Sequence, residues 1–189
     1  MLLAKSIGLE SYVVENTRDK IALPSNQKKE NLIVSVSDFT ELKNPKDLIK
    51  ALSRVELKGW KVKIFGVTKG AYLDRLSFEI SKLGLTPKVE LCIGATRSDI
   101  QESLLKAKVF IQTSRTECKP LAVSEARDAG CYIISSNVGD IEEGEMTSVY
   151  KDCAHLKDLL IKYTTEPVPF CQCSDKEGED FVGLISELL

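Results

Sequence analysis

Val109-Phe-Ile-Gln-Thr-Ser-Arg-Thr-Glu-Cys-Lys-Pro-Leu-Ala-Val-Ser-Glu-Ala-Arg-Asp-Ala-Gly-Cys-Tyr-Ile-Ile-Ser135 is the stretch that decides the fold. It opens on a short apolar run, Val109 to Gln112, breaks into a polar loop, and resumes as a segment from Pro120 to Ala129 that Gly130 stops. A second apolar run, Cys131 to Ser135, follows at once. Proline suits the first turn of a helix and glycine the position just past its end, while the flanking runs carry the bulky apolar residues of buried strands. The stretch therefore reads as strand, loop, helix, strand.

Working outward, the same unit recurs. Leu32-Ile-Val-Ser-Val36 precedes a helix opened by Asn44-Pro45, with Leu48, Ile49, Leu52 and Val55 at helical spacing. Trp60 to Phe65 precedes a helix from Tyr72 to Leu83, and Val89 to Ile93 precedes one from Ser98, a candidate cap, to Lys106. Strands alternating with helices require crossovers and a parallel sheet covered on both faces. The expectation is an α/β fold over residues 31–165: a doubly wound, Rossmann-like parallel sheet of five or six strands. Residues 1–30 read as a lead-in. Residues 166–189 read as a crossing segment built on Pro167 and Pro169, then an amphipathic helix with Phe181, Leu184, Ile185, Leu188 and Leu189 on one face. That helix docks on its own domain or on something outside it.

Composition narrows the function classes. At 189 residues the chain holds one core, and 26 basic against 28 acidic side chains leave no general field for attracting nucleic acid or anionic lipid. No apolar run approaches the roughly 20 residues that span a bilayer, and Met1-Leu-Leu-Ala-Lys5 lacks a secretory apolar stretch, so a cytoplasmic protein without a transmembrane segment is expected. Six scattered cysteines do not suggest a disulfide framework. Cys153-x-His155 and Cys171-x-Cys173 offer four soft ligands, but at spacings foreign to common zinc modules, so no metal is assigned. Gly66-Val-Thr-Lys-Gly70 after the second strand has the makings of a phosphate cradle, yet neither a dinucleotide nor a Walker fingerprint is present. Serine-hydrolase and cysteine-protease arrangements are absent.

In a doubly wound sheet, ligands sit beyond the carboxyl ends of the strands. The loop 113–119 lies there. Pro120 leaves the amides near Lys119 to Ala122 pointing out of the helix start as an anion site. Glu117 in the loop and Glu125, eight positions on, form a carboxylate pair suited to the vicinal hydroxyls of a sugar and a ribose. From spacing alone, Glu117 is equally a loop charge and Glu125 a solvated helix face.

The order Glu117, Pro120, Leu121, Glu125, Ala126, Gly130 resembles the donor-site motif of family 4 glycosyltransferases, retaining enzymes of the two-domain GT-B architecture. Lys43-Asn-Pro-Lys-Asp-Leu-Ile-Lys-Ala-Leu52 is similar to the first helix start of their C-terminal domain, Ser135-Ser-Asn-Val-Gly139 to its glycine-bearing loop, and Val13-Val-Glu-Asn16 to the interdomain hinge. The resemblance implies one half of a GT-B architecture that binds a nucleotide-diphosphate sugar and needs no metal or other cofactor. It makes Glu117 the catalytic-site ligand of the donor sugar and Glu125 the ribose ligand. Lys43 and Lys119 would meet the diphosphate beside the helix start at Pro120 and Leu121. The acceptor would come from a separate N-terminal domain or from a homo-oligomer, and this chain alone is expected not to transfer sugar. Two positions depart from the pattern. Ser37-Asp38 stands where the family has Gly-Arg, and Cys118-Lys119 where it has Gly-Phe. A carboxylate ~5 Å from a phosphate at an effective dielectric near 20 repels by roughly 3 kcal/mol. The alternative expectation is therefore a degenerate, non-catalytic binding or regulatory subunit.

Overall fold

The computed structural model describes residue 21 and residues 27–170. Six parallel strands form one sheet: β1 (Glu30–Val36), β2 (Lys61–Gly66), β3 (Val89–Ile93), β4 (Ala107–Gln112), β5 (Tyr132–Ser136) and β6 (Thr147–Tyr150). Their order across the sheet is β3-β2-β1-β4-β5-β6. Between and after them lie α1 (Pro45–Leu52), α2 (Ala71–Lys82), α3 (Arg97–Lys106), α4 (Leu121–Asp128) and α5 (Cys153–Thr165). The doubly wound α/β fold expected from the alternation is the one observed, with β6 completing the sheet as a strand the sequence pattern did not place.

Adjacent residues of one strand enter different cores, because side chains alternate across a sheet. Ile33, Ile64 and Ile111 pack with Leu48, Ile49 and Leu52 of α1, Leu76 of α2 and Leu156 of α5. Val34, Phe110 and Ile133 pack with Leu104 of α3 and with Val123 and Ala126 of α4. Leu48, Ile49 and Leu52 are fully buried, and each contributes roughly 1.5–3 kcal/mol over an exposed position. These three, spaced along one stripe, are what make 45–52 a docked helix.

The helix boundaries follow local chemistry. The cap of α3 is Thr96 rather than Ser98: Thr96 Oγ1 accepts from Asp99 N at 3.2 Å and Asp99 Oδ2 accepts from Thr96 N at 2.9 Å. Such a reciprocal box satisfies two amides, which a lone serine two residues further in does not. Pro120 is the residue before α4 rather than its first. α5 returns to the first face, where Tyr163 OH donates to Tyr132 OH at 2.5 Å and Trp60 Nε1 donates to the Thr164 carbonyl at 3.1 Å. At the opposite edge from the β4–α4 loop, Lys29 Nζ donates to the carbonyls of Leu104 (3.2 Å) and Ala129 (2.5 Å), placing a cation where the dipoles of α3 and α4 end. The hinge expected at Val13 to Asn16, the helix expected over Lys176 to Leu189, and Cys171 and Cys173 lie outside the described residues.

Candidate functional site

β1 and β4 are neighbours although 70 residues of chain separate their loops, and the order reverses between them. Chain leaving β1 turns to one face and chain leaving β4 to the other, so a crevice opens above this pair. Two bonds tie its walls together: Arg115 N donates to the Leu42 carbonyl at 2.8 Å, and Thr113 Oγ1 donates to the Lys43 carbonyl at 3.1 Å. Asn44, buried at the base, adopts a left-handed backbone with φ of 50°. Asparagine tolerates that region better than most residues. Its Nδ2 donates to Asp47 Oδ2 at 2.7 Å, which fixes Asn44 as the residue that leads into Pro45 and α1, with Lys43 in the loop just before it.

Across the crevice, Lys43 Nζ lies 2.5 Å from Glu117 Oε1. The same oxygen accepts from Gln112 Nε2 at 2.9 Å and from Ser114 Oγ at 2.7 Å. Gln112 Nε2 also donates to Ser114 Oγ at 2.8 Å. Oε2 receives no hydrogen bond from the described residues. The Lys43 side chain is 30% exposed and that of Glu117 14%, so the pair sits at the mouth rather than in the core. Gln112 is buried and its Oε1 has no partner. An orphaned acceptor of this kind costs on the order of 1–3 kcal/mol.

Lys119 and Pro120 lead into α4. Proline offers no side-chain acceptor, the first turn holds no acidic residue, and the N–H groups of Leu121 and Ala122 have no intrahelical acceptor. This end suits an anion. The loop below it is held by Gly139: a Cβ there would meet the Cys118 carbonyl oxygen at 2.6 Å, and its φ is +66°. Glu125, on α4, pairs with Arg97 at the start of α3, Nη2 to Oε1 3.6 Å. Arg97 is a neighbour of the candidate residue Glu125 that the sequence pattern did not single out; its signal is its place just after β3, at the same carboxyl edge as the other loops. The structure thus joins Lys43 to Glu117 and leaves Glu125 joined to Arg97 in a separate pair.

Asp38 turns to the β2–α2 loop. Its Oδ1 accepts from Phe39 N (3.2 Å), Val67 N (3.3 Å) and Thr68 N (2.8 Å), and its Oδ2 accepts from Thr68 Oγ1 (2.5 Å). The Thr68 hydroxyl, foremost, holds the carboxyl below the usual range, so Asp38 is charged at neutral pH. Val67 and Thr68 therefore give their amides to Asp38, and Gly66 to Gly70 does not present them as a phosphate cradle. His155 serves the start of α5, its N–H bonded to Asp152 Oδ1 at 2.8 Å and its Nδ1 accepting from Lys151 N at 3.3 Å. Among the described residues no cluster suited to a metal ion occurs, and no helix is long and apolar enough to cross a membrane.

The sequence pattern of the family described as glycosyl transferases group 1 matches residues 16–144. No curated protein sequence matches. Among solved structures, WaaG, a glycosyltransferase involved in lipopolysaccharide biosynthesis, is similar at 20% identity and a TM-score of 0.64, over 75% of this chain and 39% of that one. TarM is similar at 19% identity and a TM-score of 0.70, over 86% and 34%. HepE of Anabaena, in complex with UDP and glucose, is similar at 18% identity and a TM-score of 0.61, over 70% and 38%. The chain thus spans well under half the length of each. At these identities the likeness shows a shared fold.

Proposed function

This chain belongs to the group 1 glycosyl transferases, and from that premise we propose that it binds a nucleotide-diphosphate sugar for glycosyl transfer with retained anomeric configuration. The observation that carries the reading is the Lys43–Glu117 contact across the β1–β4 crevice, a cation and a carboxylate at the point where such sheets take ligands. Lys43 leaves Glu117 for the diphosphate, and Glu117 Oε2 accepts a hydrogen bond from a hydroxyl of the donor sugar. Lys119 and the N–H groups of Leu121 and Ala122, which open α4 just after Pro120, stabilise the negative charge that grows on the departing diphosphate. Glu125 accepts hydrogen bonds from the ribose hydroxyls. Its bond to Arg97 is largely solvent-screened, so exchanging it for a ribose costs little. The acceptor comes from a further domain or from another copy of the chain.

Binding tests this reading without requiring turnover. Calorimetric titration with UDP, GDP, UDP-glucose, UDP-N-acetylglucosamine and GDP-mannose is expected to show affinity for at least one nucleotide and its sugar; silence from all five sinks the proposal. A second reading, a binding or regulatory subunit that does not use a donor, draws on Asp38, a charged carboxylate where the resemblance implies an arginine. If Asp38→Arg creates nucleotide-sugar affinity that the natural protein lacks, that second reading stands.

A further inference from the structure

Gln112 ends β4 directly beneath the site and is 2% exposed, so no ligand reaches it. In the sheet it stands opposite Ser135, whose hydroxyl donates to the Ser136 carbonyl instead. The carboxamide makes two hydrogen bonds, both from Nε2, one to Ser114 Oγ and one to Glu117 Oε1, while its own oxygen has no partner. An apolar side chain of similar size would avoid the orphaned oxygen, so packing and sheet pairing give no reason for an amide here. The reason lies in what the nitrogen holds. Three donors converge on Oε1 of Glu117: Lys43, Ser114 and Gln112. Lys43 is the most exposed of them and sits on a flexible stem, whereas Gln112 and Ser114 are buried. Once Lys43 turns to a diphosphate, Gln112 and Ser114 are the donors that remain among the described residues to fix the rotation of the carboxylate.

We infer that Gln112 is a positioning residue: with Ser114 it clamps Oε1 of Glu117, keeps Oε2 as the oxygen available to the donor sugar, and thereby sets sugar affinity without touching the ligand. This rests on Glu117 being the sugar-binding carboxylate of the proposed function. The signature is selective. Nucleoside diphosphate alone does not use Oε2 and is indifferent to the clamp; the sugar-bearing donor is not.

The test titrates the natural protein, Gln112→Leu and Ser114→Ala with UDP against UDP-glucose and UDP-N-acetylglucosamine, and with GDP against GDP-mannose. For the pair that the natural protein binds, Gln112→Leu is expected to leave nucleoside-diphosphate affinity within about twofold and to weaken the nucleotide sugar roughly tenfold, the scale of one charge-assisted hydrogen bond. Ser114→Ala removes the other clamp donor, so it gives the same selective loss and keeps the test decisive if Gln112→Leu does not fold. Loss of affinity for nucleotide and nucleotide sugar alike, or for neither, overturns the positioning role while leaving the proposed function intact. No binding of any pair by the natural protein overturns both.

Discussion

Gly139→Ala tests whether the loop after β5 is what holds the site loop in place. The substitution meets two penalties. At φ of +66° an alanine is strained by roughly 1–2 kcal/mol, because the left-handed region brings Cβ against its own backbone. The added Cβ would also stand 2.6 Å from the Cys118 carbonyl oxygen and 3.2 Å from its carbon, where ordinary contact begins near 3.4 Å. Both obstructing atoms are backbone, so a loop must move, at a cost of roughly 1–3 kcal/mol by analogy with overpacked interiors. The sum, about 3 kcal/mol after the small entropic gain of removing a glycine from the unfolded chain, corresponds to ~6–12 °C in Tm for a domain of this size. Gly84→Ala is the matched control: its φ is +68°, but nothing lies within 4 Å of the added Cβ, so it carries only the backbone strain and should lose ~2–4 °C. Thermal denaturation of both variants reads this difference. Nucleotide-sugar titration reads its consequence, because the displaced backbone includes Cys118 and its neighbour Glu117. Equal Tm losses in the two variants would refute the contact, and an unchanged nucleotide-sugar affinity in a destabilised Gly139→Ala would refute its link to the site.

Asp38→Asn removes a charged acceptor from Thr68, and because these hydrogen bonds lie at the solvent-screened surface the loss at neutral pH should be at most about 1 kcal/mol. The folded pKa lies below the ordinary value of 3.8, so the stabilisation is present above that pH and disappears as pH falls through the folded value. Urea denaturation between pH 7 and pH 2 should show the natural protein converging on the variant at the acid end; a constant gap would contradict this. Tyr132→Phe leaves the buried hydroxyls of Tyr163 and Ser148 without the oxygen they share, at a cost of about 1–3 kcal/mol by the same denaturation. Burial raises Tyr132 to about 12 from an ordinary 10.0, so its contribution holds below pH 10 and is lost between the two values. The variant's alkaline unfolding limb should flatten accordingly, and an unchanged limb would show that the hydroxyl is not buried.

Much of the fold was legible because its signals are local. Asn44-Pro45, the apolar stripe Leu48, Ile49 and Leu52, and the Pro120 to Gly130 segment each reported their own element; α4 is shifted by a residue or so, whereas α1 stops at Leu52 and leaves Val55 in the turn that follows, its N–H bonded to the Leu52 carbonyl. β6 escaped notice because Thr147-Ser-Val-Tyr150 is four residues long and half polar, and it becomes a strand by pairing with an already formed β5. Arg97 was passed over because an exposed arginine opening a helix carries no periodic signal; only the packing of α3 beside α4 gives it Glu125 as a neighbour.

The alternation of strand and helix, hence a parallel sheet, is written in local sequence, as is the placing of Lys43, Glu117, Lys119, Pro120 and Leu121 in loops or at a helix start on its carboxyl edge, with Glu125 about one and a half turns into that helix. Those properties come from hydrophobic period and backbone preference over a few residues. Long-range packing sets β1 beside β4, so that Lys43 and Glu117, 74 positions apart, form one ion pair while Glu125 goes to Arg97. It alone bent Asp38 onto Thr68 and set Gln112 under Glu117. Strand order is fixed by the burial of both sheet faces at once, a condition on the whole chain that no local stretch of sequence states.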